Sequence, residues 1–302
     1  MITGTIRLNL VLALLMIPVQ SFSAQTTTLK LVQPVLTDAK EGMLKSPQGV
    51  ACNKEGLFIV GDTGNGRLLT YTFKDDAVKG GGEVKLPQMI YPQRLQLNSK
   101  GEIFVLDGKL RRILRLSQQG AFIGFLDPQG LPGGTAPVPK SFKIDEQDNI
   151  YILDTYSERV IVLDPAGKYL KEVPFPSPHG FFTDLAVNAE GSIYLVDGTN
   201  STVFVAEKKA MAFVPLTKSM KADMDFPGYI TTDSRGNIYL VDQNGGGIIA
   251  LGPDGSFRTR MLSMGWKPGL LYYPGQICLN NKGALFVADR DNNRVQIFEM
   301  AK

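Results

Sequence analysis

Histidine is nearly absent from this chain: His179 is the single one in 302 residues. Zinc sites draw on clustered His and Cys, so a His-ligated metal centre has no ligand set here. Cysteine is almost as scarce. Cys52 and Cys278 are the two present, too few for a disulfide framework and enough for one bridge. Charge of one sign is missing as well: 32 Lys and Arg stand against 29 Asp and Glu, a formal net charge of +3. That balance argues against nucleic acid as a partner. One basic cluster, Lys109, Arg111, Arg112 and Arg115, straddles a hairpin and reads as a solvated surface. No nucleophile elbow is present and no pair of acids converges in the pattern. Long apolar runs are lacking too. The stretch at 8–19 is short of the roughly 20 residues of a membrane helix.

That stretch follows Arg7 and precedes Ser21, Phe22 and Ser23, which place small residues where signal peptidase reads. Residues 1–23 therefore read as a secretory signal peptide, cleaved after Ser23 or Ala24, with a retained anchor as the alternative. No cysteine follows to carry a lipid. The mature chain, 24–302, is expected to be one exported domain, periplasmic or extracellular, monomeric and without a stable membrane span.

What the chain has in quantity is a repeat. The phrase GLFIVGD at 56–62 returns as GEIFVLD at 101–107, DNIYILD at 148–154, GSIYLVD at 191–197, GNIYLVD at 236–242 and GALFVAD at 283–289. The closing aspartates are 45, 47, 43, 45 and 47 residues apart. A period in the forties with strand-like cores marks propeller blades. Each core is a continuous apolar run rather than an alternation, so both faces are covered. Fifteen residues before the Asp stands Pro47, Pro92, Pro139, Pro227 or Pro274, with Phe182 in the fourth unit. A short apolar strand follows the Pro, then a polar turn, the Gly-to-Asp strand, a tight turn, a third strand and a more polar fourth. Six such units predict an all-β, six-bladed propeller with four-stranded antiparallel blades. Arg67, Arg112, Arg159 and Arg294 each lie five residues after an Asp and are expected to clamp the hairpin as structural pairs. The six aspartates sit one strand away from the axis and cannot converge on one ion.

The sixth unit stops after its third strand. The stretch 28–36, TLKLVQPVL, has no unit of its own and is expected to supply the missing outer strand, closing the ring and covering an open edge. Cys52 and Cys278 fall on the innermost strands of blades one and six. Stacked sheets lie about 10 Å apart, which is long for a bridge, although inner strands converge near the axis. Two free thiols are the expectation and a disulfide the alternative.

These units resemble the NHL repeat. The resemblance rests on the Pro-x-Gly-Val-Ala opening at 47–51, the Gly-Asn-Ile-Tyr-Leu-Val-Asp core at 236–242 and Asn-Arg-Val-Gln-Ile-Phe at 293–298, and it covers most of the mature chain. It implies a packing motif that hosts RNA-binding modules, protein-binding scaffolds and a few lyases, with calcium-dependent lactonases among related propellers. Function then lives in sites grafted on the fold.

Propellers of this kind place polar side chains at the central opening. Here the starts of the innermost strands offer Gln48 and Gly49, Gln93 and Arg94, Lys140 and Ser141, Thr183 and Asp184, Gly228 and Tyr229, Gly275 and Gln276. One carboxylate is thin support for calcium, which wants several oxygen ligands, and no metal or cofactor is expected. Long connections open on the same face, among them 262–274 with Trp266, Met264, Tyr272 and Tyr273. Aromatics and Met are enriched at recognition surfaces; packing over the blade edges is the alternative for these rings. The expected function is a binding module for a protein, peptide or envelope glycan. Its contacts would be Gln48, Gln93, Arg94, Lys140, Asp184, Tyr229, Gln276, Trp266 and Tyr272. The competing reading is a lyase or lactonase-like hydrolase at the same mouth, with His179 and Asp184 as an acid–base pair beside Arg94 and Tyr229.

Overall fold

The apolar cores become second strands that are buried on both faces. Ile103–Asp107, Ile150–Asp154, Ile193–Asp197 and Ile238–Asp242 have no residue open to solvent. The structure is a computed structural model and describes residues 28–301; the leader read at 1–23 lies outside the described residues.

Six four-stranded antiparallel sheets form the six blades. In blades one to five the strands run outward from the axis in chain order. The innermost strands are Gly49–Cys52, Pro92–Leu97, Pro139–Ile144, Phe182–Val187, Pro227–Thr232 and, in blade six, Ile277–Leu279. The fourth strand of blade four shrinks to Val214–Pro215. The apolar core is divided into six layers, one between each pair of neighbouring blades. At the seam, Phe58 of blade one packs 4.7 Å from Phe286 of blade six, centroid to centroid. A fully buried side chain of that size contributes about 1.5–3 kcal/mol.

The ring closes as the sequence predicts. Thr28–Val35 pairs antiparallel with Arg294–Ala301, from Thr28 opposite Ala301 to Val35 opposite Val295. The expectation of free thiols is overturned: Cys52 and Cys278 form a disulfide, with 5.9 Å between their Cα atoms. The 10 Å spacing holds for sheets stacked face to face, whereas the innermost strands of blades one and six converge toward the axis.

All six repeat aspartates are buried, and their main role is not the one their spacing suggests. Each accepts backbone N–H bonds from the connection entering its blade, 16 or 17 residues earlier. Lys45 N–H donates to Asp62, Ile90 and Tyr91 to Asp107, and Val138 to Asp154. Gly180 and Phe181 donate to Asp197, Asp225 and Phe226 to Asp242, and Tyr272 to Asp289. The arginine clamp forms at Arg67–Asp62 and Arg294–Asp289, both 2.7 Å, and at Arg159–Asp154, 3.4 Å. It does not form in blade two, where the Arg112 guanidinium lies 3.7 Å over the Phe125 ring. Blade five finds another cation. Arg260, on the fourth strand, donates to Asp242 at 2.8 Å across the space left by Gly247, whose missing Cβ would stand 2.7 Å from the guanidinium.

Candidate functional site

The mouth of the channel is built by an irregularity that recurs at the start of the inner strands. Between Pro92 and Arg94, Pro139 and Ser141, Phe182 and Asp184, and Pro227 and Tyr229, two residues oppose one on the second strand. A bulge leaves its extra residue unpaired and re-aims it. The extra residues are Gln93, Lys140, Thr183 and Gly228, and all four line a cavity of about 230 Å³ at the mouth, with Gln48 and Gly275 completing the ring. Gly275 is required by a close approach: a Cβ there would lie 2.5 Å from the Gln48 carbonyl oxygen, which accepts the Gln276 N–H at 2.9 Å.

The next residue of each strand turns into the channel and plugs it. This level carries Arg94, Ser141, Asp184, Tyr229 and Gln276, with Gly49 as the gap. Gln276 reaches past Gly49 to blade two, accepting from Leu95 N–H at 2.9 Å and donating to Leu95 O at 2.7 Å. Ser141 donates to Asp184, whose other oxygen accepts Ile230 N–H at 2.9 Å. Arg94 donates to Gly228 O at 3.0 Å, leaving its buried Nε without a protein partner.

The sequence-derived site residues thus divide into two layers. Gln48, Gln93 and Lys140 face the mouth, and Arg94 reaches it from the plug level. Asp184, Tyr229 and Gln276 are buried below it, with exposures of 0%, 2% and 1%. The structure does not join His179 to Asp184. The His179 Nδ1 is 2.7 Å from Gly180 O, and its ring stacks on Phe182 at 5.0 Å. Among the described residues no three His, Cys, Asp or Glu side chains gather to hold a metal ion. Arg290, Phe226 and Gln243 also reach the mouth and were missed, because they lie on the blade turns and connections rather than on the inner strands.

The mouth is cationic. Among the described residues neither Arg94 nor Lys140 makes an ion pair; Lys140 lies 5.1 Å over the Phe181 ring. Burial pushes the Lys140 amine below its usual pKa and the Arg94 and Arg111 charges add to this, with Asp184 pulling the other way. The 262–274 connection borders this opening through Pro274. Blade six pins it: Arg294 donates to Lys267 O and Leu270 O, both at 2.9 Å, and Gln296 to Leu270 O at 2.7 Å. On that anchored loop Trp266 is 77% exposed, and Met264 and Tyr272 are exposed beside it. The Trp266 ring therefore does not cap the blade edges. Tyr273, half-buried, packs edge-on against Tyr272.

Comparison with known proteins agrees with this geometry at the level of architecture. The NHL repeat model matches residues 271–298. The human NHL repeat-containing protein 3 is 25% identical over 157 residues, which are 47% of this chain and 45% of that protein; the match spans less than half of the relative's length. A streptogramin B lyase superposes with a TM-score of 0.68 at 13% identity, covering 92% of this chain and 99% of the lyase. A gluconolactonase from Xanthomonas campestris superposes at 0.67 and 13% identity, covering 90% and 89%. A chain of a nidogen–laminin complex superposes at 0.61 and 16% identity, covering 82% and 96%. At such identities the likeness is one of fold.

Proposed function

We propose, for a chain that is an NHL-repeat six-bladed β-propeller, a binding role: an exported module that holds a protein, peptide or envelope glycan on its loop-bearing central face. The observation that carries this reading is the mouth itself. Arg94 and Lys140 face an open cavity without ion-pair partners among the described residues, and Trp266 stands 77% exposed on a pinned loop at its edge. Charges held in a partly desolvated site without an ion-pair partner favour an acidic group from outside. An exposed indole on an ordered loop supplies apolar contact at little entropic cost. The nidogen–laminin chain is an instance of this architecture crystallised with a protein partner.

Catalysis draws less support from the same residues. Both oxygens of Asp184 are held inside the plug, and His179 contacts Gly180, Phe175 and Phe182, with its Nε2 4.0 Å from Glu158 rather than near Asp184. Export is supported by the Cys52–Cys278 bridge, since structural disulfides persist in oxidising compartments. The test is affinity capture from the envelope fraction with the mature chain and two variants, Lys140→Ala and Trp266→Ala, each checked for an intact fold. A partner retained by the parent chain and lost from both variants is the expected result. Identical capture by all three would refute the binding face. A chelator-removable metal whose loss lowers the melting temperature would favour an enzyme instead.

A further inference from the structure

We propose that the opposite end of the channel is a second ligand site, distinct from the mouth, which takes a small hydroxylated monocarboxylate on the ammonium group of Lys143. Below the plug the channel widens into a cavity of about 640 Å³, within the size range of small-molecule sites. Lys143 and Tyr229 stand at its inner end. Lys143 is 6% exposed. Its Nζ donates to the Tyr229 hydroxyl at 2.5 Å and lies 4.2 Å from the centre of the Tyr229 ring. That is its one hydrogen bond, and among the described residues it has no carboxylate partner. An ammonium has three N–H donors, and buried charges are ordinarily paired because desolvation is costly. Two donors and one positive charge are therefore left facing the cavity.

The rest of the cavity defines what can satisfy them. At the level of Lys143 the other blades carry Ala51, Gln96, Ala186, Thr231 and Cys278. These side chains are short or neutral, so Lys143 is the only charge on that level, and Gln96 and Thr231 add hydrogen-bonding groups to the wall. The outer rim is mixed in charge, with Asp145, Glu146 and Asp233 beside Arg235 and Lys282, and Arg235 pairs with Asp233 at 3.5 Å. Asp145 and Asp233 are tied into their own turns through Asn149, Tyr151, Asn237 and Tyr239. Three rim carboxylates against two rim cations give a polyanion no net attraction, so the single buried ammonium is matched by one negative charge on a neutral, hydroxyl-bearing body. Sequence inspection passed over Lys143, although it lies two residues beyond Ser141 and so on the same side of the strand.

The experiment is calorimetric titration of the mature chain with glucuronate, glucose and inorganic phosphate at millimolar concentrations. Glucuronate and glucose share a ring and differ in charge. Glucuronate should bind at least tenfold more tightly than glucose or phosphate. Lys143→Met should weaken glucuronate tenfold or more, while Lys140→Met, at the other end of the channel, should leave it unchanged. Should Lys143→Met not fold, Thr231→Val carries the test through the wall and should weaken glucuronate alone. The proposal is overturned by no glucuronate binding, by equal binding of glucose, or by binding that survives at Lys143→Met or Thr231→Val. Loss at Lys140→Met would also overturn it, by moving the anion to the mouth.

Discussion

Gly247 illustrates how a position without a side chain can complete a site. Its empty Cβ volume lets Arg260 reach the buried Asp242 and also donate to Gly245 O at 3.0 Å. Gly247→Val should displace that guanidinium and cost about 1–3 kcal/mol, read as a lower urea midpoint; an unchanged midpoint would count against the role given to Arg260. Tyr239 shows a different dependence. Burial first, then the Asp233 charge and hydrogen bond, push its phenol up to about 12. A phenol raised from about 10 holds its proton more tightly folded than unfolded. Its stabilisation is complete below pH 10 and is lost as pH rises through about 12. Tyr239→Phe should therefore make the alkaline loss of stability shallower in that window, and equal slopes would contradict the assignment. At single positions the sequence was legible only in part. That the aspartates are structural followed from their spacing. Their backbone donors 16 or 17 residues upstream did not, because any residue supplies an N–H. Nor was it visible that Arg112 prefers the Phe125 ring to Asp107.

Strands were far more legible than the bulges within them. A continuous apolar run between Gly and Asp can be buried on both faces only between neighbouring sheets, so the second strands were placed by pattern alone. The extra residue at the start of the inner strands leaves no hydrophobic signature. Yet that bulge decides that Lys140 faces the mouth while Ser141 enters the plug. The strand Thr28–Val35 was legible for a topological reason: blade six had three strands and an open edge. Deleting residues 29–36 should expose that edge along Arg294–Ala301. A loss of about 4 kcal/mol or more would lower the melting temperature by roughly 10 °C. An unchanged melting curve would remove this strand from the closure of the ring.

The whole molecule is a ring with one seam and a channel with two unlike ends. Two devices hold the seam: the shared sheet of blade six at the rim and the Cys52–Cys278 bridge near the axis. Cys278→Ser alone should cost about 2–4 kcal/mol, measured by chemical denaturation. Combined with the 29–36 deletion it should cost more than the two changes summed, because either device keeps the ring closed when the other is gone. Strict additivity would show that they act independently. The bridge was not legible, since sheet spacing alone does not show how closely inner strands approach at the axis. The channel separates a cationic mouth, bordered at Pro274 by the loop that carries the exposed Trp266, from a larger cavity around one buried ammonium. Hydrogen–deuterium exchange on the protein with a captured partner tests the proposed binding face most directly. Protection should appear in 262–274 and at the inner-strand starts around Gln93 and Lys140, with the outer strands unchanged. Protection confined to the outer strands or to the opposite end of the channel would contradict a partner held at the mouth.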